Sequence, residues 1–403
     1  MQPFKHLPAG EMAWARTPAL NRIFSLLNRD GRNARLVGGC VRDALMGHKI
    51  GDIDMACALA PEESMSRLEA AGVKVVPTGL KHGTITAVIE GQPFEITTLR
   101  KDVETHGRHA TIALTDDWVE DARRRDFTVN AFYMDPDGTL YDPCNGWPDL
   151  EARHVRFIGN PQERIEEDAL RILRFFRFGA QFGEARLDQA GVEACVMKRD
   201  MICRLSGERL AQEMKKLLSY PAAEWIVPIM AKHGILEKIL PQFSELERFL
   251  IYIRHEHMAG RRDVLGRLCA LLPQDPKQAR LAGHHLRLSS RETGLLEDMA
   301  HPRPDITPEL SEPALRRAVY EVGKTVVIYH LILNGTDQRR LKKTLQVVEN
   351  WEIPVFPLRG RDLVAGGMER GPELGRLLKN LEQKWIESDF SLNKADLLEM
   401  AGS

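Results

Sequence analysis

Apolar positions change their spacing near residue 150 of the chain. Before it they come as short β-branched runs at Ile53–Cys57, Val73–Val76, Thr84–Ile89, Phe94–Leu99 and Thr111–Leu114, which predict strands. Gly91-Gln92 lies between the third and fourth runs and predicts a hairpin turn. A helix is expected between the first two runs, from Pro61 to Gly72. Another is expected over 17–28, with Thr17 as N-cap, Pro18 at the first helical position and Leu20, Ile23, Phe24 and Leu27 on one stripe. After residue 150 the 3.6-residue period dominates, over Glu166–Phe178, Gly207–Leu218, Pro313–Leu333 and Gly371–Trp385. Proline-rich breaks near 302–308 and 354–357 punctuate this half. The expected architecture is an α/β N-terminal head followed by an all-α neck, body and tail. Its divisions are a helical lead-in over 1–33, the head over 34–147, a neck over 148–220, a body over 221–350 and a tail over 351–403.

Composition narrows the classes. The 403 residues are 43% hydrophobic and 28% charged, as in a folded globular protein and unlike a disordered or collagen-like chain. The longest apolar stretch, Thr325 to Leu333, is interrupted by His330 and is far short of the ~18–20 residues that span a bilayer. No membrane partner is expected. The formal net charge is −1, so a nucleic-acid partner must meet local basic patches rather than a global positive field. None of the six cysteines forms a C-x-x-C pair, and they read as free thiols. With no apolar leader in the first residues, the expected location is the cytoplasm.

Five constellations carry candidate chemistry. Leu36-Val37-Gly38-Gly39-Cys40-Val41-Arg42 reads as a strand, a Gly-Gly turn and a helix start, which suits either a phosphate cradle with Arg42 beside it or a tight turn without a ligand. Gly51-Asp52-Ile53-Asp54 puts two carboxylates on one face of a strand. Such a pair repels unless a cation sits between, and Mg²⁺ takes one or two carboxylates plus substrate phosphates. A solvated loop is the alternative. Glu95, between Phe94 and Ile96, is either a third carboxylate from a neighbouring strand or a solvent-facing residue. Arg123-Arg124-Arg125-Asp126 reads either as a grip on a triphosphate or as a solvated face. In Glu167-Asp168-x-x-Arg171-x-x-Arg174-x-x-Arg177 the polar residues recur three apart on a predicted helix, and an intrahelical Asp–Arg pair is the plain alternative.

In this order and spacing the five resemble the class II nucleotidyltransferases of the polymerase-β superfamily, the tRNA CCA-adding enzymes and bacterial poly(A) polymerases. The segment Phe94 to Arg177 is most similar to the mitochondrial and α-proteobacterial CCA-adding enzymes. The resemblance implies a polymerase-β-like sheet in the head. It implies that Gly38, Gly39 and Arg42 hold nucleotide phosphates, that Asp52 and Asp54 carry catalytic Mg²⁺, with Glu95 a further candidate ligand, and that Arg124, Arg125 and Asp126 contact sugar and phosphates. It implies that Asp168, Arg171 and Arg174, with Arg177 nearby, read the incoming base. C and A each present an exocyclic amine donor beside a ring-nitrogen acceptor, so a carboxylate and a guanidinium can select both without a template. The implied substrates are CTP and ATP, and the implied partner is tRNA, met at its 3′ end, acceptor stem and elbow.

Two stretches point to complete CCA addition, one against poly(A) addition and one against CC-only addition. Pro77 to Thr86 lacks the Arg-Arg-rich form typical of poly(A) polymerases. Arg100 to Trp118 supplies the flexible loop that CC-only enzymes lack. The downstream segments Leu205–Leu210 and Leu358–Arg376 also resemble the family.

Overall fold

Thr17 accepts a hydrogen bond from the Leu20 amide at 3.2 Å and starts a helix at Pro18, as its sequence predicts. The structure is a computed structural model that describes residues 1–80, 83–106, 109–183, 186–366 and 368–402. The chain divides into two compact units, Met1–Ile239 and Leu240–Ser403.

The strands of the first unit are β1 (Pro3–His6), β2 (Ala34–Val37), β3 (Asp54–Cys57), β4 (Lys74–Gly79), β5 (Thr84–Ile89), β6 (Gln92–Thr98), β7 (Arg100–His106), β8 (His109–Leu114), β9 (Tyr133–Met134), β10 (Thr139–Tyr141), β11 (His154–Val155) and β12 (Arg186–Leu187). Its helices are α1 (Pro18–Leu27), α2 (Gly39–Leu45), α3 (Pro61–Ala70), α4 (Trp118–Arg123), α5 (Trp147–Glu151), α6 (Pro161–Glu167), α7 (Leu170–Gln181), α8 (Gln189–Lys198), α9 (Gly207–Leu218), α10 (Ala223–Lys232) and α11 (Leu236–Ile239).

Eight strands form one mixed sheet in the order β1-β10-β9-β2-β3-β6-β5-β4. β3 runs parallel to β6, with Asp54 opposite Glu95. The β5–β6 hairpin turns at Glu90-Gly91, one residue before the expected pair. Both have positive φ (52° and 79°), which matches the twist of the flanking strands. The first residues are not purely helical. Pro3–His6 adds an edge strand against β10, a pairing that local periodicity over four exposed residues does not announce. Within the stretch read as a flexible loop, Arg100–His106 and His109–Leu114 pair as antiparallel strands. Lys81 and His82 of the stretch weighed against poly(A) addition, and Gly107 and Arg108 of the stretch weighed against CC-only addition, lie outside the described residues.

Aromatic packing ties α7 to the head. Phe127 follows the Arg-Arg-Asp turn, and its ring sits 4.9 Å from Phe157, 6.1 Å from Phe175 and 5.3 Å from Phe178, centroid to centroid. Such rings each bury large apolar areas and add about 0.5–1.5 kcal/mol per pair beyond burial. The polar edge of α7 is thereby held beside that turn.

The second unit contains α12 (Leu246–Ala259), α13 (Val264–Ala270), α14 (Pro276–His285), α15 (Ser290–Met299), α16 (Glu312–Val322), α17 (Lys324–Asn334), α18 (Gln338–Asn350), α19 (Gly360–Ala365), α20 (Pro372–Glu387) and α21 (Lys394–Gly402). The single helix expected over Pro313–Leu333 is two, broken at Gly323. Leu358, Leu363, Leu381, Trp385 and Leu397 pack together with Tyr320 of α16 and Phe356, so the last fifty residues share a core with the helices before them. α10 and α11, expected in the body, belong to the first unit.

Candidate active site

β2 is buried along its whole length and ends at Gly38, whose φ of 75° and ψ of −125° an L side chain rarely adopts. A Cβ there would lie 3.4 Å from the Arg125 guanidinium. The glycine thus lets the turn bend and leaves space for that arginine. α2 follows, and Arg42 on it is buried. Its Nη1 donates to Asn130 Oδ1 at 2.6 Å and its Nε to Asp43 Oδ1 at 2.9 Å. Asn130 in turn donates to Asp126 Oδ1 at 3.0 Å.

A cavity of about 340 Å³ opens here, lined by Gly38, Gly39, Arg42, Asp52, Asp54, Arg125, Asp126, Asn130, Arg174, Arg177, Phe178 and Lys216, among others. A second cavity of about 230 Å³ is lined by Arg124, Arg125, Asp126, Asp168, Arg171 and Arg174. The two share Arg125, Asp126 and Arg174. All the sequence-derived candidates except Glu95 line one or both.

Asp52 precedes β3 rather than lying on it, so the strand alternation argued for the pair does not apply to it; both carboxylates reach the cavity from the turn and the first strand residue. Burial raises Asp54 to about 6, with the charges of Glu95 and Asp52 adding to the rise and Arg125 opposing it. Asp52 and Asp54, which reach the cavity together, are hard oxygen donors that suit a hard cation. Among the described residues, no group of three Asp, Glu, His or Cys converges closely enough to hold a metal by itself. Two carboxylates are a donor set that Mg²⁺ takes together with other oxygens.

The Arg-Arg-Asp turn is organised by Asp121, which is buried. Arg124 donates to its Oδ1 through Nε at 2.8 Å and Nη2 at 2.6 Å, while Arg125 Nη2 (3.1 Å) and the Tyr133 hydroxyl (2.7 Å) donate to Oδ2. Burial alone would raise Asp121, but the two guanidinium charges hold it below the usual carboxylate range. Burial would likewise raise Asp126. The Arg174 guanidinium, donating through Nε at 2.7 Å, and the Asn130 amide instead hold it at about 2.

The Asp-x-x-Arg element differs from its sequence reading. The helix expected over Glu166–Phe178 is interrupted: α6 ends at Glu167, Asp168 is extended (φ −153°, ψ 108°), and α7 begins at Leu170. Asp168 Oδ1 accepts from the Leu170 amide at 3.1 Å and Oδ2 accepts from Arg209 Nη2 at 2.7 Å. Arg171 does not pair with Asp168. It is held by Glu167, by the Arg164 carbonyl at 2.7 Å and by the Arg124 carbonyl at 3.3 Å. The i, i+3 stripe fails at its first member because an aspartate that caps its own following amides favours a non-helical backbone. Arg177 donates to Glu213 Oε2 at 2.6 Å and stacks over Phe178 at 4.0 Å.

Asp121, Asn130, Arg209, Glu213 and Lys216 escaped the sequence reading. Asn130 had a signal, a polar amide only four residues after Asp126 in a largely apolar run. Arg209, Glu213 and Lys216 lie on α9; Arg209 falls in the family-like segment Leu205–Leu210, but nothing local ties it to Asp168, Glu213 to Arg177, or Lys216 to the cavity it lines.

A family profile described as "Poly A polymerase head domain" matches residues 34–156, and one described as "Probable RNA and SrmB- binding site of polymerase A" matches residues 186–246. The chain is 32% identical over 393 residues to a Mus musculus protein named CCA tRNA nucleotidyltransferase 1, mitochondrial, covering 95% of this chain and 89% of that one. It is 38% identical over 257 residues to the CCA-adding enzyme of Geobacillus thermodenitrificans, 62% of each chain. The crystal structure of the Bacillus stearothermophilus CCA-adding enzyme in complex with CTP matches with a TM-score of 0.74 at 26% identity, over 93% of this chain and 94% of that one.

Proposed function

The chain belongs to the CCA tRNA nucleotidyltransferase family, and from that premise we propose that it adds C, C and A to the 3′ end of tRNA from CTP and ATP without a nucleic-acid template. The observation that carries this reading is the pair of abutting cavities: carboxylates stand at one end, base-reading candidates at the other, and Arg125, Asp126 and Arg174 are common to both. A nucleoside triphosphate has the same order of parts, with its reacting phosphate, its sugar and its base.

In this reading Asp52 and Asp54 hold Mg²⁺, with Glu95 set beside Asp54 as a third carboxylate. When bound, the metal lowers the cost of charge building on the attacking 3′ oxygen and the departing pyrophosphate. Arg125, Arg174 and Lys216 offer cationic donors to the triphosphate, and Asp126 accepts from the sugar hydroxyls. Gly38 and Gly39 keep side chains out of the phosphate path. Asp121 and Glu213 set the directions of Arg124, Arg125 and Arg177, so that little reorientation is needed when charge develops. Asp168 accepts from the exocyclic amine of C or A, and Arg171 donates to the ring nitrogen beside it. U and G would place carbonyl against carboxylate and N–H against guanidinium.

The head and neck supply the site, and the body and tail hold the tRNA. All six cysteines are free thiols, which suits a reducing compartment such as the cytoplasm. Among the described residues no helix is long and apolar enough to cross a membrane.

The test is the product on a tRNA ending at its discriminator base, supplied with labelled CTP and ATP. Completion of CCA supports the reading, whereas a long A tract formed from ATP alone would assign a poly(A) polymerase. Asp54→Ala should lower incorporation of both C and A by about 10³-fold while tRNA binding by filter retention stays within twofold. Near-normal turnover of that variant in Mg²⁺ would remove Asp54 from the metal site.

A further inference from the structure

Arg164 of α6 lines neither of the two site cavities, yet it holds the backbone of residues that do. It is 7% exposed. Its Nη1 donates to Glu167 Oε2, and its Nη2 donates to the Arg124 carbonyl and, at 2.8 Å, to the Arg125 carbonyl. Arg171, near the start of α7, uses two of the same acceptors. Its Nη1 donates to Glu167 Oε2 and, at 2.7 Å, to the Arg164 carbonyl, and its Nη2 reaches the Arg124 carbonyl at 3.3 Å. Two guanidinium groups thus share one carboxylate oxygen and one carbonyl.

Burying a guanidinium is costly unless its donors are met, and a second one beside it adds repulsion. One carboxylate, Glu167, faces both charges. The carbonyls supply the rest. Arg124 is the C-cap of α4, at the helix end where carbonyls lack intrahelical partners and cations are favoured. The side chains of Arg124 and Arg125 line the cavities, so whatever fixes their carbonyls fixes where those side chains start. Arg171 is a weak holder of the Arg124 carbonyl, because 3.3 Å lies beyond the usual N–H···O range. It is also the group with a second task, donation to the incoming base. Arg164 has no such task and stays on the carbonyls when Arg171 turns to the base. Without it, the turn would hang on Arg171 alone, and that guanidinium would be drawn toward the Arg124 carbonyl and off the base edge.

We infer that Arg164 is a positioning residue for base choice: by holding the Arg124 and Arg125 carbonyls it leaves Arg171 able to read the base. The inference rests on the base-reading role given above to Arg171, and it adds a residue that touches no substrate.

The experiment compares the unmodified full chain with Arg164→Lys, Arg164→Gln, Arg171→Lys and a variant carrying both Arg164→Lys and Arg171→Lys. Lysine keeps the charge but lacks the planar fork that bridges a carboxylate and two carbonyls. Glutamine removes the charge, so a folding defect in one variant leaves the other to decide. Single-turnover incorporation of CTP and UTP is measured on tRNA ending at its discriminator base, and of ATP and GTP on tRNA ending in CC. Each Arg164 variant should lower the preference for CTP over UTP, and for ATP over GTP, by about tenfold. Because both arginines act on one carbonyl, adding Arg164→Lys to Arg171→Lys should change discrimination by less than about threefold. Glu163→Gln, on the same helix, should keep the rate and discrimination of the unmodified chain. An equal fall for all four nucleotides in the Arg164 variants would overturn the inference and leave Arg164 a structural support. So would additive losses in the double variant. Unchanged discrimination in Arg171→Lys alone would strike the base-reading assignment, and the inference with it; that failure is told apart because it arises with Arg164 intact.

Discussion

At Asp168 one backbone residue decides which side chains meet. An uninterrupted helix would have aimed Asp168 and Arg171 together from one turn. The extended φ, ψ at Asp168 gives each a separate anchor, Arg209 for the carboxylate and Glu167 for the guanidinium. They still line one cavity, and their separation there is set by α6, α7 and α9 jointly. Asp168→Ala should slow use of CTP and ATP and raise the share of UTP and GTP. A lost charge-assisted hydrogen bond of roughly 1.5–3 kcal/mol lowers discrimination by about one to two powers of ten. Arg209→Gln should shift discrimination the same way but less, because it loosens one carboxylate oxygen without removing the acceptor. Single-turnover incorporation of all four nucleotides checks both. An equal fall for all four would make Asp168 a structural joint. The residue types of this site were legible in the sequence; their partners were not. Arg209 and Glu213 reach Asp168 and Arg177 from about forty residues away, and no periodicity connects segments that distant.

The elements followed their sequence patterns wherever one local force acted alone. α1 starts at its capped Thr17, α9 spans the residues expected, and β5 runs from Thr84 to Ile89. They departed where a single residue outvoted a long apolar pattern. Gly323 stands at φ 84° and ψ 154°, a region closed to residues with a Cβ, and it splits Glu312–Asn334 into α16 and α17 although the apolar run continues across it. Gly323→Ala should therefore destabilise the second unit by roughly 1–3 kcal/mol, read as a lower urea midpoint at constant slope. A stabilised variant would mean that the two helices can fuse without strain. The edge strand Pro3–His6 shows the complementary case. Its four exposed residues carry no inward-facing alternation, and only the partner β10 makes it a strand.

Across the whole molecule, stability is unevenly sensitive to pH. His330 of α17 is buried in the second unit; burial and the neighbouring Arg303 charge lower it to about 4, with Asp305 opposing. The unfolded chain takes up a proton below its ordinary value near 6.5, while the folded chain resists it until about 4. The stability this neutral imidazole contributes is thus complete above pH 6.5 and is lost as pH falls from 6.5 to 4, by about 3 kcal/mol in all. Urea unfolding of the full chain between pH 4.5 and 7.5 should show the loss in the second unit's transition. His330→Leu should flatten it, and an unchanged slope in that variant would place the acid sensitivity elsewhere. The first unit should keep its own acid resistance to lower pH, because Asp126 is held at about 2 by Arg174 and Asn130 and loses its contribution only as pH falls from 3.8 toward 2.

From the amino-acid order alone came the mixed head, the helical remainder, the Gly-Gly turn, the carboxylate pair and the arginine runs. All of these are written in local spacing, where burial on one face, a cap or a glycine acts over a few residues. The tertiary structure decided what lies across the chain: the register that sets Glu95 beside Asp54, the Asp121 anchor for Arg124 and Arg125, and the arrival of α9 with Arg209, Glu213 and Lys216. It also decided that Asp168 leaves the helix. Hydrogen bonds and ion pairs of this kind form only after packing has fixed which surfaces meet. Their geometry is therefore a property of the assembled unit, while the sequence sets only which groups are available to make them.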